Sequence, residues 1–118
     1  MSHNEEITLV VILATKPGKG QRFIDLSTQA YKNFAPKEPG CLQFQIIGDD
    51  SASDNADEQR WSIIERYESK EALTQHQSTA SYRLLFEAFM AEELLAGTPV
   101  SFEGKALSMG HSHGVSTK

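Results

Sequence analysis

Cysteine is nearly missing from this chain. Cys41 is the one thiol in 118 residues, so no disulfide can close within the chain and no thiolate pair is at hand for metal or redox chemistry. Long apolar runs are missing too. No stretch approaches the roughly 20 residues that cross a bilayer, and the polar opening MSHNEE lacks the basic-then-apolar order of a secretory leader. Basic clusters are a third absence: the formal charge is −5 and the lysines and arginines are scattered, which argues against nucleic acid or anionic lipid as a partner. The expectation is a cytoplasmic protein with no nucleic-acid or membrane partner.

What is present suits one small domain, with 39% apolar residues for a modest core. The segment Ile7 to Ala14, ITLVVILA, is β-branched and aliphatic on both faces and too short for a helix, so it reads as a strand that wants cover on both sides. After Pro17-Gly18, residues Gln21 to Phe34 place Phe23, Leu26, Ala30 and Phe34 at helical spacing, with Ile24 and Tyr31 widening the stripe. Glu38-Pro39-Gly40 reads as a turn, proline fixing the first corner and glycine taking a positive φ at the second. A strand follows from Cys41 to Ile47, with Leu42, Phe44 and Ile46 on an apolar face and Cys41, Gln43, Gln45 and Ile47 opposite.

The connection GDDSASDNADEQ is acidic and devoid of apolar residues, a long hairpin loop that lacks the spacing of a calcium-binding loop. Trp61 to Tyr67 then alternates Trp61, Ile63, Glu65 and Tyr67 against Ser62, Ile64 and Arg66, the period of a strand. Ser69 is positioned to cap a short helix in which Ala72, Leu73 and His76 share the inward face. Ser78 or Thr79 restarts the helix, and Tyr82, Leu85, Phe86 and Phe89 form an aromatic stripe. Gly97 and Pro99 are expected to stop that helix near Ala96, and Val100 to Leu107 supplies a last strand with Gly104 at a possible bulge. The domain is thus residues 1–108, and 109–118 is read as a flexible tail. His111 and His113 there, with His3, lack the third ligand and supporting shell of a metal site, so no metal is expected.

The order strand, helix, strand, strand, helix pair, strand implies an α+β, ferredoxin-like split βαβ fold with a four-stranded antiparallel sheet and helices on one face. Helices on one face leave the other face of an all-apolar first strand bare. A second copy packed sheet to sheet is the simplest cover, and a homodimer is expected, with the closing strand a candidate to reach over the partner.

The run EPGCLQFQI, a variable loop, and WSIIERYESKEALTQHQSTASYRLLFEAF together resemble the antibiotic biosynthesis monooxygenase family of dimeric α/β-barrel proteins, over about residues 7 to 107. The resemblance implies a cofactor-independent monooxygenase that deprotonates a quinol- or anthrone-like aromatic small molecule and lets its carbanion meet O2 in a dry pocket, with no cofactor. The implied base is His76, Tyr82 and Arg66 are candidates to hold the developing oxyanion, and Phe44, Trp61, Glu65, Phe86 and Phe89 to line the substrate site. The plainer readings stand beside these: His76 as a core histidine bonded to a backbone carbonyl or Glu65, Trp61 with Phe86 and Phe89 as core, Arg66 as a solvated or interface charge. Haem-degrading relatives resemble this chain less, since they place tryptophan where His76 stands and histidine where Phe86 stands. The oxygenase relatives often carry tryptophan in place of Tyr67. A non-catalytic dimeric binding or stress-response protein, and an isomerase of a small carbonyl compound, are the alternatives.

Overall fold

The computed structural model of the chain describes residues 5–50 and 58–107. The tail 109–118, His3, His111, His113 and most of the acidic loop lie outside the described residues.

The elements run β1 (Ile7–Thr15), α1 (Gly20–Phe34), a 3-10 turn (Ala35–Lys37), β2 (Cys41–Gly48), β3 (Gln59–Tyr67), α2 (Lys70–Gln77), α3 (Ala80–Ala91) and β4 (Val100–Gly104). They form one antiparallel sheet in the order β2-β3-β1-β4, with the helices on one face: the α+β, ferredoxin-like fold expected from the element order.

Strand parity decides which side chains meet the helices. On β1, Leu9, Val11 and Leu13 are buried and stand opposite Glu65, Ile63 and Trp61 of β3, so these residues share the inner face. Thr8, Val10 and Ile12 face outward beside Arg66, Ile64 and Ser62. β4 pairs with β1 of its own chain, setting Phe102 beside Val10 and Val100 beside Ile12. Among the described residues no helix covers that outer face. Ile12, Ile47, Val100 and Phe102 are 45%, 48%, 63% and 61% exposed, so the uncovered side of the sheet is an apolar patch.

Four local readings need correction. β4 ends at Gly104, which pairs with Thr8 in regular register, rather than running through a bulge there to Leu107. β2 carries an irregularity between Cys41, opposite Tyr67, and Gln43, opposite Arg66, so Leu42 stands outside the ladder and is exposed. Cys41, not Leu42, therefore joins Phe44 and Ile46 on the inner face. Gly40 is not at positive φ; it is needed because a Cβ there would lie 2.9 Å from the Cβ of Ala72. α3 ends at Ala91 rather than near Ala96, because Glu93 turns left-handed at φ 52° and drops Leu94 into the core. The backbone beyond it is captured by the end of β1, with Lys16 N–H donating to Leu94 O and Ala96 N–H to Ala14 O. The helix break between α2 and α3 falls where the hydroxyl residues suggest. Ser69 Oγ accepts from Ala72 N–H at 3.1 Å, and Thr79 Oγ1 accepts from Tyr82 N–H at 3.2 Å.

Candidate functional site

Between the inner sheet face and the helices lies a cavity lined by Leu9, Val11 and Leu13 of β1, Ser27, Ala30 and Phe34 of α1, Phe44 of β2, Ile63 and Glu65 of β3, His76 of α2, and Tyr82, Leu85, Phe86 and Phe89 of α3, together with Ser81. Its walls are overwhelmingly apolar. About 40 Å³ inside is open to the centres of water-sized spheres. Tyr82 and Phe86 also line an outer groove with Gln77, Thr79 and Met90, so these two rings are the partition between the cavity and that groove.

His76 is the polar centre of this chamber. It is 4% exposed, and its ring meets Phe34 edge-on at 4.7 Å between centroids, Tyr82 at 5.4 Å and Tyr67 at 5.5 Å. Nδ1 is 2.6 Å from Glu38 Oε1, and Nε2 is 3.9 Å from Glu65 Oε1. A carboxylate at Glu38 only accepts, so the hydrogen of the neutral ring sits on Nδ1 and the lone pair on Nε2, toward Glu65. The backbone fixes this clamp. Glu68 N–H at the start of the β3–α2 junction donates to Gly40 O at 2.9 Å, tying the Glu-Pro-Gly corner to the helix that carries His76.

Among the described residues no lysine or arginine pairs with Glu65. Tyr67 donates its hydroxyl to Glu65 Oε1 at 2.6 Å, and the Cys41 thiol interacts with that hydroxyl in turn. Burial pushes the Glu65 carboxyl above its ordinary range, against the opposing pull of Tyr67 and His76. Tyr67 is pushed up by burial and by the neighbouring Glu65 charge, Tyr82 by the same two causes, and Cys41 chiefly by burial. Glu65 and His76 therefore form a carboxyl–imidazole pair whose heavy atoms stand too far apart for a mutual hydrogen bond, and close enough for one oxygen atom to bond both.

Of the expected site residues, His76, Tyr82, Glu65, Phe44, Phe86 and Phe89 are brought together around the cavity. Arg66 is not: one step along β3 from Glu65 it faces the outer side, where it pairs with Glu6 and donates from Nε to Gln43 Oε1 at 3.1 Å. It has no route to an oxyanion inside. Trp61 is also outside the cavity, four residues and roughly 13 Å along the strand from Glu65. There its Nε1–H donates to buried Thr15 Oγ1 at 3.1 Å and its ring packs on Phe23, so it is a core residue. The sequence reading passed over Glu38, which bonds His76 without lining the cavity, and the wall residues Ser27 and Ser81. Glu38 was visible only as part of a turn. Ser27 was hidden because the stripe drawn through Leu26 passes beside it; the buried positions are Phe23, Ser27 and Phe34. Among the described residues, no group of three or more histidine, cysteine or acidic side chains is arranged to hold a metal ion, and no helix is long and apolar enough to cross a membrane.

Residues 6–88 match the profile of the family described as antibiotic biosynthesis monooxygenase. A comparison with curated proteins gives no match. Among solved structures, a candidate antibiotic biosynthesis monooxygenase from Caulobacter crescentus is similar with 25% identity, 88% of this chain and 92% of that one covered, and a TM-score of 0.73. A Pseudomonas aeruginosa protein aligns at 21% identity over 90% and 98% of the two chains, TM-score 0.72. SnoaB, a cofactor-independent oxygenase from Streptomyces nogalater, aligns at 15% identity over 91% and 99%, TM-score 0.69. At those two lower identities the likeness is one of fold.

Proposed function

The chain belongs to the antibiotic biosynthesis monooxygenase family, and from that premise we propose that it is a cofactor-independent monooxygenase acting on a quinol-like aromatic small molecule. The observation that carries this reading is the placement of His76 Nε2 and Glu65 Oε1, 3.9 Å apart, at a cavity whose other walls are almost wholly apolar. A substrate hydroxyl seated between them gives its proton to Nε2, with Nδ1–H held by Glu38. The electron-rich ring carbon then meets O2 in surroundings from which water is excluded. A quinol and O2 yield a hydroxyquinone and water, the substrate supplying all four electrons, so no external reductant is required. Of the two residues expected to hold the developing oxyanion, Tyr82 lines the cavity and takes that role, and Arg66 does not.

The size of the chamber narrows the substrate. Sites that enclose drug-sized ligands hold about 300–1,000 Å³, and this one is far smaller, so a fused anthrone-like ring system requires Tyr82 and Phe86 to swing aside. A single ring requires much less. The exposed apolar outer face of the sheet supports a homodimer packed sheet to sheet, and the solitary thiol supports a reducing, cytoplasmic setting.

A second reading, an isomerase of a small carbonyl compound, is favoured by the same carboxyl–imidazole pair, which can take a proton from one substrate atom and return it to another. Oxygen uptake with hydroquinone and menadiol distinguishes the two. Uptake that vanishes in His76→Ala supports the oxygenase, whereas conversion of a carbonyl substrate under anaerobic conditions supports the isomerase. Absence of turnover with saturable binding leaves a binding protein.

A further inference from the structure

Ser27 is 3% exposed, and among the described residues its hydroxyl is the one fully buried side-chain nitrogen or oxygen for which no hydrogen-bond partner is found. Serine within a helix ordinarily folds its hydroxyl back onto the carbonyl four residues earlier. Here that bond to Phe23 is not made. The residue lines the cavity, between Phe23 and Ala30 on the inward stripe of α1. Burying a hydroxyl without a partner costs stability, so its position on the wall of a chamber that already holds an acid–base pair calls for a ligand atom to bond it.

We propose that Ser27 Oγ is a ligand-binding group of this cavity, bonding the second oxygen of a single-ring quinol whose first oxygen lies between His76 and Glu65. The proposal rests on the reading that the cavity binds a quinol, and extends it by assigning a partner to the second of the quinol's two oxygens. His76 and Glu65 come from α2 and β3, whereas Ser27 comes from α1, so two separate elements each address one oxygen. A ring with one hydroxyl satisfies the acid–base pair and leaves Ser27 buried and unpaired. A ring with two satisfies both. Sites built to hydrogen-bond a substrate hydroxyl discriminate strongly against the analogue lacking it, because the buried polar group is then stranded.

The test is anaerobic titration calorimetry of the full chain with phenol, catechol, resorcinol and hydroquinone, using wild type and Ser27→Ala. At least one of the three diols is expected to bind wild type more tightly than phenol and to lose roughly tenfold in affinity in Ser27→Ala, while phenol is unaffected. The ligand-free Ser27→Ala protein is expected to unfold at a higher urea concentration than wild type, which a structural hydroxyl would not give. Equal loss for phenol and the diols, no loss for any diol, or a lowered urea midpoint for the ligand-free variant overturns the role of Ser27 and leaves the quinol reading standing. Failure of all four ligands to bind wild type overturns the role of Ser27, and oxygen uptake then decides the oxygenase reading separately: uptake that depends on His76 sustains it, and no uptake overturns it too.

Discussion

Glu38 Oε1 lies 2.6 Å from Nδ1 of His76, joining a turn residue to a buried imidazole 38 positions later. Such a contact dictates which ring nitrogen is bare. The expected nitrogen-15 spectrum of the neutral His76 ring shows Nδ1 protonated and Nε2 unprotonated. Glu38→Gln, which can present its amide N–H to the ring, is expected to shift the population toward the opposite tautomer. If His76 is the base, kcat falls about 100-fold with KM little changed. A spectrum identical to wild type would show that Glu38 does not position the ring.

Glu65 provides a pH dependence with a definite sign. Its carboxyl titrates higher in the folded chain than in the unfolded one because burial disfavours the charge. Between those two values the folded state holds more protons, so stability falls as pH rises through the window. Below the unfolded carboxylate range the penalty is absent, and above the folded value it is present in full. Glu65→Gln keeps an acceptor for the Tyr67 hydroxyl and carries no charge. The difference in urea stability between Glu65→Gln and wild type is therefore expected to move in the variant's favour from pH 4 to pH 8; a constant difference would refute the assignment.

Trp61 separates core from site. Trp61→Phe removes the bond to Thr15 and is expected to cost about 1–2 kcal/mol in chemical denaturation, since Thr15 is itself fully buried, with no change in phenol affinity. A specific loss of ligand binding would return Trp61 to the cavity.

Ile12 and Phe102 test how the outer face is covered. Ile12→Glu or Phe102→Glu places a charge in the exposed apolar patch. Sedimentation is expected to show a dimer in the wild type and a monomer in either variant; a wild-type monomer at micromolar concentration removes the dimer from the account.

The corner at Gly40 is a packing constraint. A methyl group there meets Ala72 at 2.9 Å and the Glu68 carboxyl at 3.3 Å. Gly40→Ala is expected to destabilise by roughly 1–3 kcal/mol and to weaken the Glu38–His76 contact, visible as line broadening of the His76 ring signals.

Much of this architecture was readable from side-chain periodicity. The alternation from Trp61 to Tyr67 assigned the inner face of β3 correctly, and helical spacing turned His76 inward with Leu73. Periodicity failed where the backbone departs from regularity. Nothing in CLQFQI announces that Leu42 leaves the ladder, and no helix-stopping residue at 92 or 93 foretells the left-handed turn at Glu93. The candidate site was half legible for the same reason. Residues on regular elements could be assigned a direction, so Tyr82, Phe86 and Glu65 were placed well. Arg66 was nominated for its chemistry although its parity sends it outward. Glu38 belongs to a turn, whose side-chain direction follows no period, and its partner is set by tertiary contact alone.

The supernumerary residue at Leu42 has one more effect. Because it absorbs a step of chain between Cys41 and Gln43, the corner carrying Glu38 and the wall carrying Phe44 are not locked to a shared count. Removal of that single residue can be taken up there without turning β2 over, so Cys41 and Phe44 keep the inner face with or without Leu42.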